Sequence, residues 1–317
     1  MTDYYLAFWN LENLFDVNQS PRRTDKLQRT IGSELKGWTK KILDKKVKQL
    51  ASVIKQMNQN KGPDLMGACE IENDFVLELL VNALNIPNRN YAIAHHNMSD
   101  SRGIDVGFIY DKSLLKAEKQ FSHFIVKRYA TRDLFQVNFS TKLGRRLVVI
   151  GNHWPSRSAG QYESEPYRIV AAETIAYWHQ RIREELGKDT AILAMGDFND
   201  EPFNRSLANY ALAVRSRTEV TRARSPKFLN LMWPIMGEGK GTHYYGGEPN
   251  FLDQFLASKG LVTGKPKLRV LPEKVEVIQY PGMADKNGAP IRFGKGQKPN
   301  FKGFSDHFPI GVVVRET

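Results

Sequence analysis

Apolar and polar positions follow two distinct rhythms along this chain, and the rhythms predict its elements. Short apolar runs bounded by Gly, Pro, Asn or Asp occur at residues 4–9, 65–70, 91–95, 104–110, 134–139, 147–152, 191–195, 251–257 and 309–314. Runs of this length and bounding read as buried strands. Between them the apolar spacing changes to three and four residues. Leu43, Val47, Leu50, Ile54 and Met57 mark one helix, which Thr39 is placed to cap. A second helix is predicted over residues 73–85, and a third from an expected cap at Ser164 to Leu186, with Ile169, Ala172, Ile175 and Ala176 on its apolar side. No fixed-period repeat or low-complexity linker interrupts the pattern. Strands mixed with helices and joined without a linker predict one two-sheet α/β domain over residues 1–317.

The acids, amides and histidines fall where the strands stop. Asn10 follows the first run, Glu70 closes the second, and Asn152 and His153 end the 147–152 run. Asp197 and Asn199 follow residues 191–195, Asp253 opens the next strand, and Asp306 and His307 precede the last. One such residue alone carries little, because an Asp after a strand is usually a turn former and a lone His usually a hydrogen-bonded structural residue. Six such strand ends in one chain point instead to a shared cleft of carboxylates, amides and two imidazoles. Oxygen donors suit a hard cation such as Mg2+. Asp197 and Asn199, at i and i+2, point the same way from an extended backbone. Hydrolysing a phosphodiester needs an activated water, neutralised non-bridging oxygens and a protonated leaving group, and such a set can supply all three.

These residues also resemble a known family. Phe8-Trp9-Asn10-Leu11-Glu12-Asn13-Leu14-Phe15-Asp16 is similar to the opening strand of the endonuclease/exonuclease/phosphatase (deoxyribonuclease I-like) superfamily. Cys69-Glu70-Ile71-Glu72-Asn73 resembles its metal-binding glutamate motif, and Gly151-Asn152-His153-Trp154-Pro155-Ser156 its central histidine strand. Gly196-Asp197-Phe198-Asn199, Asn250-Phe251-Leu252-Asp253 and Ser305-Asp306-His307-Phe308-Pro309 resemble its three later motifs. All six stand in the family's order over residues 5–314. The resemblance implies a four-layer α/β sandwich, two mixed β-sheets face to face flanked by helices. It implies Glu70 as the principal Mg2+ ligand, with Asn10 and Asp306 assisting and Mn2+ able to substitute. It further implies that Asp197 and Asn199 position the attacking water, that His307 contacts the scissile phosphate under the control of Asp253, and that His153 protonates the leaving oxygen.

Charge favours an anionic partner: 46 basic against 34 acidic residues leave a net +12. Arg157 is a candidate phosphate clamp through its planar fork. The glycine- and proline-broken segment before the last motif carries Lys295, Lys298 and Lys302, and is expected to grip a polyanion. Asp105 is a candidate orienter of His153, although a structural role suits it better. Glu12 and Glu72 are expected to support the ligands, and Trp154 to pack beneath them. The single cysteine, Cys69, excludes an intrachain disulfide and reads as a small core residue. No apolar run reaches the roughly 18 residues of a membrane span. The first run lacks the basic flank of a secretory signal, so a cytoplasmic, monomeric protein with no protein partner is expected. The leading function is a Mg2+-dependent nuclease acting on DNA or RNA. A phosphatase or phospholipase of the same superfamily, acting on inositol phosphates or a sphingomyelin-like lipid, is the alternative. A binding module with a dead site would require broken motifs, and none of the six is broken.

Overall fold

A computed structural model of the chain describes residues 1–128, 130–296 and 299–317. Lys298, expected in the polyanion-binding loop, lies outside the described residues. Thirteen residues, Thr2–Leu14, form the central strand of a six-stranded sheet. The strand is buried almost throughout because it has a partner on both edges: Ile310–Glu316 antiparallel on one side, Leu65–Ile71 parallel on the other. Leu268–Val277 extends the sheet past the last strand, while Asp105–Asp111 and Tyr91–His95 complete the opposite side. A seven-stranded sheet runs Leu115–His123, Leu134–Thr141, Arg146–His153, Ala191–Asp197, Asp253–Ser258, Phe228–Asn230, Ala213–Val214. A separate two-stranded hairpin pairs His243–Tyr245 with Glu248–Asn250.

The core is layered. Phe8, Phe108, Phe135, Met195 and Phe255 interdigitate between the two sheets. On the outer face of the six-stranded sheet, Lys40–Asn60 and Asp74–Leu84 bury Leu50, Ile54, Leu77 and Leu80 against Ala7, Trp9 and Met66. Gln161–Leu186 covers the seven-stranded sheet with Ala171, Ala172 and Ile175 against Ile150, Ile192 and Ala194. Helix, sheet, sheet, helix is the expected four-layer sandwich. Thr39 and Asn73 cap their helices through side-chain oxygens, as their residue types predict.

One cap differs. The long helix begins at Gln161, not at Ser164, because Gly160 takes φ 103° and ψ 142° and turns the chain into the helix earlier. Ser164 instead sits a turn inside, with its hydroxyl 2.5 Å from the Gly160 carbonyl oxygen. Leu115–His123 is not foreshadowed by an apolar run, because it is an edge strand whose residues mostly face solvent. Among the described residues no helix is long and apolar enough to cross a membrane.

Candidate active site

Three adjacent strands of the larger sheet build one wall. Parallel and antiparallel registers set His153 beside Asp197 and Asp197 beside Asp253. Gly196 permits the approach, since a Cβ there would lie 2.3 Å from the Asn152 carbonyl oxygen. The smaller sheet builds the facing wall. Asn10 pairs with Cys69 and Leu14 with Ile71, so residues 11–13 bulge opposite Glu70 alone. Glu12, Asn13 and Glu70 take positive φ of 49°, 55° and 60°, a region that disfavours Glu and persists only when its surroundings enforce it. Here they do. The Glu12 carboxylate accepts from Arg292 Nε and Phe293 N, both at 2.8 Å, and from Gly294 N at 3.1 Å. Buried Lys46, its pKa pushed down to about 8 by burial, donates to the Glu12 carbonyl. Asn13 N then donates to Glu70 Oε2 at 2.8 Å and aims that carboxylate into the cleft.

The segment before the last strand closes the site. Ser305 Oγ donates to the Asn10 carbonyl (2.6 Å), His307 N to Ser305 Oγ (3.1 Å), and Trp9 Nε1 to the His307 carbonyl (2.8 Å). His307 Nδ1 is 2.7 Å from Asp253 Oδ2, and its Nε2 faces Asp197 Oδ2 at 3.9 Å. His153 Nε2 is 3.8 Å from both Glu70 Oε1 and Asp197 Oδ2. Asn10, Glu70, His153, Asp197, Asn199 and His307 thus line one cavity of about 440 Å3.

Electrostatics separate the two imidazoles. Burial would lower His307, but the Asp253 carboxylate and its hydrogen bond, with Asp197 and Asp306, hold it well above the usual range. Burial, with Arg132 and Arg102 nearby, pushes His153 well below it. His153 Nδ1 has no hydrogen-bond partner among the described residues. Burial and then the Asp306 charge raise Glu70; burial raises Asp197, with Asp253 adding to it. Such uncompensated carboxylates in a pocket of oxygen donors fit a divalent cation. Asn10 bears on that fit differently than expected. Its Oδ1 accepts from Glu12 N (3.0 Å), while its Nδ2 faces Asp197 Oδ2 (3.1 Å) and Glu70 Oε1 (3.5 Å). It therefore steers two carboxylates; Glu70 lines the pocket as a candidate cation ligand, while Asp306 is paired with Arg292 Nη2 at 3.4 Å. Asp197, Asp253 and His307 also bring donor atoms within 4.8 Å of one another. The Asp253–His307 hydrogen bond accounts for that closeness without a metal.

Several expected roles shift. Arg157 reaches the pocket, but its Nε donates to the Asn199 carbonyl (2.7 Å) and its Nη2 to Asp200 (3.0 Å) and Asn204 (2.8 Å). It braces Asn199, whose own Nδ2 donates to the Trp154 carbonyl at 3.0 Å. Asp105 is 3.0 Å from His95 Nε2 and does not contact His153. Lys295 is paired with Glu34 at 2.7 Å, while Lys302 is exposed. Glu72 is held bidentately by Arg23, and Trp154 packs edge-on against Phe198 beneath the site. Cys69 is fully buried.

Among the pocket residues outside the six motifs are Arg102, His243 and Tyr245. Arg102 had a signal. The antiparallel partner of Leu65–Ile71 must begin where Glu70 sits, so the residues just before Asp105 arrive at the same edge. Arg102 forms no ion pair among the described residues, unlike Arg23, Arg132, Arg157 and Arg292. His243 and Tyr245 lie on the hairpin, whose Gly246-Gly247 turn takes positive φ at both positions. The His243 ring lies 4.7 Å from that of His307, and burial pushes its pKa down to about 4.

Solved structures share this fold at low sequence identity. D. rerio TDP2 complexed with single strand DNA product is 14% identical, with a TM-score of 0.61, covering 99% of this chain and 100% of that one. An endonuclease/exonuclease/phosphatase family protein from Bacteroides thetaiotaomicron is 15% identical (TM-score 0.58, 100% and 98% covered). The human Nocturnin catalytic domain with bound sulfate anion is 14% identical (TM-score 0.57, 99% and 95% covered). No curated protein matches significantly by sequence. The model of the Endonuclease/Exonuclease/phosphatase family matches residues 5–316, and with that match over the fold and the cleft described above, the chain belongs to this family.

Proposed function

We propose that the chain is a nuclease, hydrolysing phosphodiester bonds of nucleic acid with the help of a divalent cation. The observation that carries this reading is the meeting of Glu70, Asp197, His153 and His307 in one cavity, from both sheets, with buried Asp253 holding His307 from behind. Glu70 and Asp306 would hold Mg2+, or Mn2+ in its place, with Asn10 orienting the acids beside it. When bound, the cation neutralises charge on the phosphoryl oxygens. Asp197 accepts the proton of the attacking water, which Asn199 helps to place. His307, its Nδ1 fixed on Asp253, presents Nε2 to the phosphoryl group and serves as the proton donor. His153, without a carboxylate on its second nitrogen, acts as a neutral hydrogen-bonding ring. Arg102 grips a non-bridging oxygen.

The net charge of +12 supports a polyanionic substrate. DNA product in D. rerio TDP2 and sulfate in human Nocturnin are anions bound by proteins of the same fold. The modest cavity, about 440 Å3, also admits a small phosphoester, which keeps the inositol phosphate or sphingomyelin-like alternative as a second reading. A Mg2+-dependent screen over duplex DNA, single-stranded DNA, RNA, an abasic duplex, inositol phosphates and sphingomyelin separates them. Cleavage of nucleic acid that stops in EDTA is expected. Turnover confined to inositol phosphates or sphingomyelin would overturn the nuclease reading.

A further inference from the structure

We propose that a basic track leads from the catalytic pocket onto the helix Lys40–Asn60 and binds a single nucleic-acid strand, with Phe301 as a stacking platform. It rests on the nuclease reading and specifies how that site would hold a polymer. The track begins at Arg292, whose side chain is 62% exposed and whose Nη2 lies 3.4 Å from Asp306. Its neighbour Phe293 packs at 6.1 Å against Phe301, a ring left 47% exposed. Gln49 Nε2 donates to the carbonyls of Phe301 (3.1 Å) and Gly303 (3.4 Å), which pins this loop to the helix. From Gln49 toward the start of the helix, Lys48, Lys45 and Lys41 surround an open hollow of about 580 Å3, with Phe301 on its wall. The acid lining that hollow, Asp44, is already paired with Lys40 at 2.6 Å.

An exposed aromatic face beside lysines suits a strand in which a base stacks while phosphates meet cations. A lone phenyl ring is too little apolar surface to anchor the protein on a lipid bilayer. The spacing also fits. Phe301 lies four positions before Ser305, which is bonded to the Asn10 carbonyl, so their Cα atoms lie at most about 14 Å apart. That is the reach of a few nucleotides. A strand cut in the pocket would therefore meet Phe301 and the lysines only if it extended beyond the first nucleotides.

The test compares hydrolysis of a single-stranded DNA of about 15 nucleotides with that of a dinucleotide. Wild-type protein is expected to prefer the longer substrate in kcat/KM. Phe301→Ala should shrink that preference by about tenfold. Changing Lys41, Lys45 and Lys48 together to Ser should lower the salt slope of the long substrate's KM by about 2, at roughly 0.7 for each phosphate no longer neutralised. The matching triple Arg variant should retain both preference and slope, which separates charge from misfolding. Equal use of both lengths by the wild type, or an unchanged preference and slope in the variants, would overturn the track and leave the nuclease reading standing. Binding of these lysines to anionic phosphatidylserine vesicles with no effect on DNA would assign the surface to a membrane and also overturn it. Hydrolysis of neither DNA would mean that the nuclease reading itself has failed and the track with it.

Discussion

At the scale of single residues, the second nitrogen of each imidazole decides its chemistry. Asp253 holds His307 in the charged form, so a reaction that needs this imidazolium should persist into alkaline pH. Removing the carboxylate while keeping its shape, in Asp253→Asn, should move the alkaline limb of kcat/KM toward lower pH. The sign follows from the cause: without Asp253, burial is less opposed and His307 loses its proton earlier. An unmoved limb in the pH profile would remove His307 from the acid role. His307→Ala should cost about 10²–10⁴-fold in rate, and Asp253→Asn less. Glu70→Gln tests the cation separately. The substitution removes one anionic ligand at constant volume, so activity should fall steeply and recover in part as metal concentration rises. Full activity of the wild type in excess EDTA would end the cation's role altogether.

At the scale of elements, the long helix shows how a buried titratable group enters stability. His179 stacks on Phe228 at 3.8 Å, and burial, with Arg183 adding to it, holds its pKa down at about 3 against an ordinary 6.5. Between those values the unfolded chain binds a proton that the folded chain refuses. Stability from this residue is therefore complete above pH 6.5 and is lost as pH falls toward 3. Its share of the loss at pH 5 is about 2 kcal/mol. His179→Leu should flatten the fall in urea midpoint between pH 7.5 and pH 5 by a corresponding amount; parallel curves would show that the ring is protonated in the fold. The same elements show what was legible in the chain. Strand ends carrying Glu70, His153, Asp197 and Asp253 could be read because run and polar terminus are neighbours in sequence. The Thr39 cap is equally local. What stayed hidden depends on partners far away along the chain. The role of Arg157 is decided by Asp200 and Asn204, that of Asn10 by Glu70 and Asp197, and the place of His243 by a hairpin folding over His307. Ser164 lost its predicted place to the unusual dihedrals of Gly160, which no apolar periodicity reports.

At the scale of the whole molecule, the cleft joins two sheets that otherwise meet mainly through apolar side chains. Glu70 and the Asp306 segment belong to the six-stranded sheet, His153, Asp197 and Asp253 to the seven-stranded one; Asn10 reaches across by hydrogen bond and His307 by ion pair, and the neutral His153 ring lies 3.8 Å from Glu70. Without a cation, this end of the sandwich concentrates four buried or half-buried carboxylates, and the raised pKa values of Glu70 and Asp197 record first the cost of burying them and then that of crowding them. A ligand that binds the folded cleft and not the unfolded chain relieves that crowding and stabilises the fold by mass action. At about 100 times its dissociation constant it contributes about 2.7 kcal/mol, a rise of roughly 5 °C in melting temperature for a chain of this size. Mg2+ added to metal-stripped protein should produce such a rise, measured by differential scanning calorimetry without any substrate. Glu70→Gln should raise the melting temperature of the metal-free protein, because it removes one of the crowded charges, and should also abolish most of the response to Mg2+. An arrangement in which the carboxylates are merely solvated makes the opposite forecast on both counts: no gain without metal, and the same small response in both proteins. The paired measurement thus decides whether the acids are held together against their own repulsion to receive a cation.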